Sequence, residues 1–97
     1  MREMYTQHEA EDLILNHYGR KKQEIQAVQE LSELTLLLTA RDDQRGKDYK
    51  KRLAEKMADV IVMIEQMKIA YKITDEDITE VIVYKLRRTL DRIDKEK

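Results

Sequence analysis

The chain has 97 residues, 40% of them charged, with no proline, no tryptophan and two glycines, a composition suited to one all-α domain of long helices with solvated outer faces. It contains no cysteine, which excludes a disulfide framework, a thiol nucleophile and a thiolate metal site. Nineteen basic and twenty acidic side chains leave a net charge of -1, so no whole-chain field is aimed at polymeric nucleic acid or an anionic membrane.

The opening segment, "MREMYTQHEAEDL", lacks the apolar core of a signal peptide, and no apolar run approaches the roughly 20 residues needed to cross a bilayer. The expectation is a cytoplasmic, unprocessed protein with no membrane partner. Residues from about 4 to 17 predict a short helix carrying Leu13, Ile14 and Leu15 near its end, with Gly19 as a left-handed stop. His8 and His17 read as surface residues. From about 20 to 40, Ala27, Val28, Leu31, Leu34 and Leu38 fall on one face of a long amphipathic helix. "ARDDQRGKD" follows as an exposed connection that reverses the chain.

The next helix, about 48 to 72, carries Leu53, Met57, Val60, Ile61, Ile64 and Tyr71 on one face and is apolar on other sides in its second half. "ITDED" marks a break and a cap, with Thr74 accepting from the backbone N–H of Asp77 and Asp77 reaching back. A last helix of about 75 to 94 has Ile78, Val81, Ile82, Leu86, Leu90 and Ile93 inward, and the tail "DKEK" frays. The expected architecture is an antiparallel helical bundle of about four helices, a single domain over 1–97. The central helix is too apolar for one chain to cover, so a homo-oligomer, dimer or tetramer, completes it.

Two polar features interrupt this pattern. Gln23, Gln26, Glu30 and Glu33, spaced by three, four and three, form a stripe beside the apolar face of the second helix. Within the run "EKMADVIVMIEQM", Asp59 is the one residue from Met57 to Ile64 that is not apolar, and a buried carboxylate there costs several kcal/mol unless a cation or hydrogen bonds compensate it. Hard oxygen ligands gathered from two facing helices suit Mg²⁺ or Mn²⁺, so Glu30, Glu33 and Asp59 are candidate metal ligands. The competing reading pairs Asp59 with Lys56 or Arg52 and leaves the glutamates solvated.

"VQELSEL" followed by "AEKMADVIVMIEQMKIAY" resembles the MazG-type all-α nucleotide pyrophosphohydrolases, with E-E-x-x-E on one helix and E-x-x-D on the next. The similarity runs from "YGRKKQ" to "YKLRRTLDRI". It implies Mg²⁺-dependent hydrolysis of a nucleoside triphosphate to the monophosphate and pyrophosphate. By position, Glu30 and Glu33 match the second and third acids of the first motif and Asp59 the Asp of the second. Glu30 and Glu33 are also the implied catalytic pair, one of them orienting the water.

Gln29 and Lys56 stand where the family has glutamates. Replacing a carboxylate by an ammonium is a swing of two charge units against cation binding. Glu55, four residues before Asp59, is the candidate fourth ligand in its place. The alternative is a disabled metal site in which Lys56 pairs with Asp59, giving a nucleotide-binding or helical assembly module without hydrolysis. Gln23 and Gln26 are candidates for base or sugar contacts. Lys85 and Arg88 match the basic pair the family places near its C-terminal helix to meet phosphates, against a competing reading as a salt-bridged surface.

Overall fold

Four helices and their connections account for nearly all of the described residues. The computed structural model describes residues 4–97, and there α1 spans Gln7–Tyr18, α2 Arg20–Thr39, α3 Tyr49–Tyr71 and α4 Asp75–Glu96, with a 3₁₀ turn at Asp42–Gln44 between α2 and α3. The class and the helix order follow the sequence pattern. No described helix is long and apolar enough to cross a membrane.

Each boundary has a local cause. Thr6 caps α1 by accepting from the N–H of Glu9 at 3.1 Å, while Glu9 accepts from the Thr6 N–H at 3.2 Å, a capping box that satisfies two donors the first turn would otherwise strand. Gly19 ends α1 and begins α2 with φ 88° and ψ 156°. That conformation is open to glycine and strained for any other residue, so one residue turns the chain between two helices. Its φ has the expected positive sign, but its ψ is extended where a left-handed stop was expected. Thr74 and Asp77 form the expected capping box at the start of α4, with bonds of 3.0 and 2.9 Å. The helix then continues to Glu96, through most of the tail expected to fray.

α2 and α3 run antiparallel and pack along their length, and α1 lies against both. Leu15, Val60 and Met63 are the buried apolar side chains among the described residues, accompanied by the buried Glu11, Gln23 and Gln66. Glu11 accepts a hydrogen bond from Gln7 at 3.0 Å. A core this small and this polar is characteristic of a chain with unmet packing capacity.

Two expectations about orientation fail. On α2, Val28, Leu31 and Leu38 are exposed, whereas Gln23, Gln26, Glu30 and Glu33 face α3. The polar stripe takes the inner side because α3 offers it bonding partners there, and a satisfied amide or ion pair removes the penalty of burial. On α4, Ile78, Val81, Ile82, Leu86, Leu90 and Ile93 are exposed, because α4 packs against none of the other helices. The Cα radius of gyration is 17.2 Å, against about 12.5 Å for a compact chain of this length.

Lys72 turns α3 away from α4 in the left-handed conformation, φ 56° and ψ 40°. Lys68 pins the corner by bonding Glu65 at 3.0 Å and the carboxylate of Asp75 at the head of α4.

Candidate functional site

The antiparallel register of α2 on α3 pairs side chains in a regular ladder. Gln23 Nε2 donates to Gln66 Oε1 at 2.7 Å. Further along, Lys56 Nζ donates to Glu33 Oε2 at 2.6 Å. Between these rungs Glu30 stands opposite Asp59, whose carboxylate disfavours ionisation of Glu30.

Glu30 resolves that conflict by its hydrogen bonding and burial. Gln26 donates to its Oε1 at 2.8 Å, and its Oε2 is buried with no hydrogen-bond partner. Desolvation, more than the neighbouring Asp59 and Glu33, pushes its carboxyl above the ordinary glutamate range. Asp59 turns outward instead. Its side chain is 48% exposed and lies 3.6 Å from Lys56 Nζ, one turn earlier on α3, so the expectation of a buried, unpaired Asp59 is corrected. Two opposed carboxylates do not share one dry site, and the shorter one has solvent and an ammonium within reach.

Lys56 is therefore the cation of the cluster. The hydrogen bond to Glu33 raises its pKa and holds the Glu33 carboxyl below the usual range. Glu30, Glu33 and Asp59 come together from two helices as the sequence pattern implies, but around an ammonium. Among the described residues no three acidic or histidine side chains are gathered in a geometry that holds a metal ion. The donor set fits a hard divalent cation in kind, and the orphaned Glu30 Oε2 is an acceptor in want of a positive partner. Glu33 and Asp59, as they stand, are held by Lys56.

The remaining candidates separate. Glu55 is exposed and makes no bond to Asp59 or to the cluster. Lys85 and Arg88 lie on α4, which packs on neither α2 nor α3, so they are not brought to the carboxylates. His8 and His17 are exposed, as expected, the latter edge-on to Tyr18 with ring centroids 4.7 Å apart.

Sequence reasoning missed two features. Gln66, 1% exposed, is the most deeply buried polar side chain among the described residues; its signal was a polar residue three beyond Met63, on the face that Val60 and Met63 define. The second is a surface cluster in which Arg20 bonds Glu24 at 2.7 Å and Tyr71 at 3.0 Å, with the Tyr71 hydroxyl donating to Glu24. It ties the start of α2 to the end of α3 and accounts for the exposure of Tyr71, which the periodicity places on the apolar face. No protein-family model, curated protein or solved structure matches the chain.

Proposed function

We propose that the chain is a MazG-like nucleotide pyrophosphohydrolase, acting in the cytoplasm as a homo-oligomer and splitting a nucleoside triphosphate into the monophosphate and pyrophosphate with Mg²⁺, or Mn²⁺ in its place. What carries the reading is the register of α2 on α3, which sets Glu30 and Glu33 of one acidic motif opposite Lys56 and Asp59 of the other. Glu30, Glu33 and Asp59 would hold the cation once Lys56 swings aside. The chemistry it supplies when bound is neutralisation of phosphate charge and acidification of a water. Glu30 and Glu33 are the carboxylates placed to orient that water, one of them taking its proton. Gln26 orients Glu30 through their 2.8 Å bond. Gln23 is spent on Gln66, so base or sugar contact falls to other residues. The Lys56 ammonium, displaced from Glu33, is a natural partner for a substrate phosphate.

A second reading is favoured by the same lysine. With Lys56 bonded to Glu33 and close to Asp59, the cluster is electrostatically closed, which suits a nucleotide-binding or assembly module without hydrolysis. One experiment separates the two. The purified chain and Lys56→Glu are incubated with a panel of canonical and modified triphosphates plus Mg²⁺ or Mn²⁺, and pyrophosphate is measured. Release by the natural chain supports the enzyme. No release by either defeats it, and release only by Lys56→Glu assigns the natural chain to the second reading.

A further inference from the structure

α4 is a 22-residue helix, about 33 Å long, that no other helix of the chain covers. Ile78, Ile82, Leu86, Leu90 and Ile93 line one side along its whole length and are between 37% and 61% exposed. An apolar stripe of that length on a charged helix is a surface built for another helix.

The distribution of charge says which helix. The first third of α4 is purely acidic, with Asp75, Glu76, Asp77 and Glu80 and no base. The stretch from 85 to 92 is strongly basic, with Lys85, Arg87, Arg88 and Arg92 against a single acid, Asp91. A helix polarised in this way is complementary to itself when reversed. In an antiparallel pair each acidic third lies along the partner's basic stretch, and the helix dipoles also run opposed. In a parallel pair like charges meet at both ends, at a cost in every flanking contact.

We infer that α4 is a self-recognition element that pairs antiparallel, about a two-fold axis near its middle, with α4 of a second copy of this chain. This gives a location and an orientation to the second copy proposed above and is independent of whether the cluster on α2 and α3 hydrolyses anything. The pairing is isologous, so it closes at two copies through this surface. Register places Glu80 beside Arg87 of the partner subunit, at the margin of the apolar stripes.

The test is sedimentation equilibrium of the full chain with two charge variants, Arg87→Glu/Arg92→Glu and Glu76→Lys/Glu80→Lys. The four positions lie on α4 outside the carboxylate cluster, and circular dichroism checks that both variants keep the helix content of the natural chain. At tens of micromolar the natural chain is expected at twice its 11.6 kDa mass or a multiple of that. Each variant alone is expected to drop to half the natural chain's mass, and an equimolar mixture to regain it.

Orientation is read by crosslinking, since the chain has no cysteine of its own. Thr79→Cys mixed with Thr89→Cys forms a mixed disulfide if the pair is antiparallel, and Thr79→Cys bonds to itself if it is parallel. A monomeric natural chain, charge variants that associate as the natural chain does, a mixture that stays monomeric, or a dominant Thr79→Cys self-crosslink each overturns the inference. So does a natural chain that stays monomeric in solution but sediments with vesicles of anionic lipid.

Discussion

The ammonium of Lys56 on α3 stands 2.6 Å from Oε2 of Glu33 on α2, a direct ion pair between the helices that carry the two acidic motifs. Its hydrogen bond is the main reason that the Glu33 carboxyl titrates below the ordinary glutamate range. A carboxyl depressed in the folded state contributes stability that is complete above its unfolded pKa and disappears as pH falls through the folded one. Lys56→Met is therefore expected to return the Glu33 pKa up towards the ordinary glutamate range, measured by carboxyl-carbon NMR titration. Both side chains are about one third exposed, 33% and 35%, so the accompanying change in stability is small and the titration is the decisive readout. A Glu33 pKa that is unmoved in Lys56→Met would remove the ion pair from the account of this site.

Glu30 runs with the opposite sign. Its carboxyl is raised, chiefly by desolvation, so the folded state is favoured while Glu30 is protonated, and that advantage is lost as pH rises through its folded pKa. Glu30→Gln keeps the shape and removes the charge. The variant is expected to be more stable than the natural chain at pH 7, with the difference shrinking as pH falls through the raised Glu30 pKa towards the ordinary glutamate range. Urea midpoints at pH 7 and pH 4 check this. A variant less stable at pH 7 would mean that the Glu30 carboxylate already has a compensating cation.

The Gln23–Gln66 bond predicts a non-additive pair. Gln66→Leu leaves the Gln23 amide facing an apolar side chain in a dry interface, at about 1–3 kcal/mol, whereas Gln23→Leu/Gln66→Leu removes both polar groups and is expected to recover most of that loss. Chemical denaturation of the single and double variants measures the difference. Additive losses would show that the two amides act separately.

Gly19 has no neighbour within 4 Å of the place a Cβ would occupy, so space does not constrain it. Its backbone does, with φ at 88° and ψ at 156°. Gly19→Ala is expected to cost about 1–3 kcal/mol of unfolding free energy, seen as a lower urea midpoint with an unchanged slope. A neutral result would indicate that α1 and α2 can join in another geometry.

How much of this is legible in the sequence differs by level. Helix existence and order are, because each helix announces itself in local terms such as Thr74 with Asp77 or the turn-rich segment before Asp48. The acids that meet across α2 and α3 are legible too, since three- and four-residue spacing fixes which side chains share a face. Which face turns inward is not. Val28, Leu31 and Leu38 form a better apolar stripe than Gln23, Glu30 and Glu33, and periodicity favours burying them. The choice is made by partners on another helix, Gln66 and Lys56, a property of pairs far apart in the chain. Asp59 fails for a related reason. The apolar run around it is read as a buried environment, but a side chain at the margin of a helix face reaches out of it to an ammonium one turn away.

The left-handed corner at Lys72 divides the molecule into two mechanical units. α1, α2 and α3 share side-chain contacts and gain or lose them together. α4 is joined to them by a three-residue corner and the Lys68–Asp75 bond. An isolated helix of this length is only marginally stable in water, so backbone amides in α4 of a lone chain exchange with solvent through local fraying, while those around Val60 and Met63 require the three-helix unit to open. Amide hydrogen exchange would then show two protection classes that meet at the corner. Dilution would deprotect α4 first, leaving the amides around Val60 and Met63 untouched.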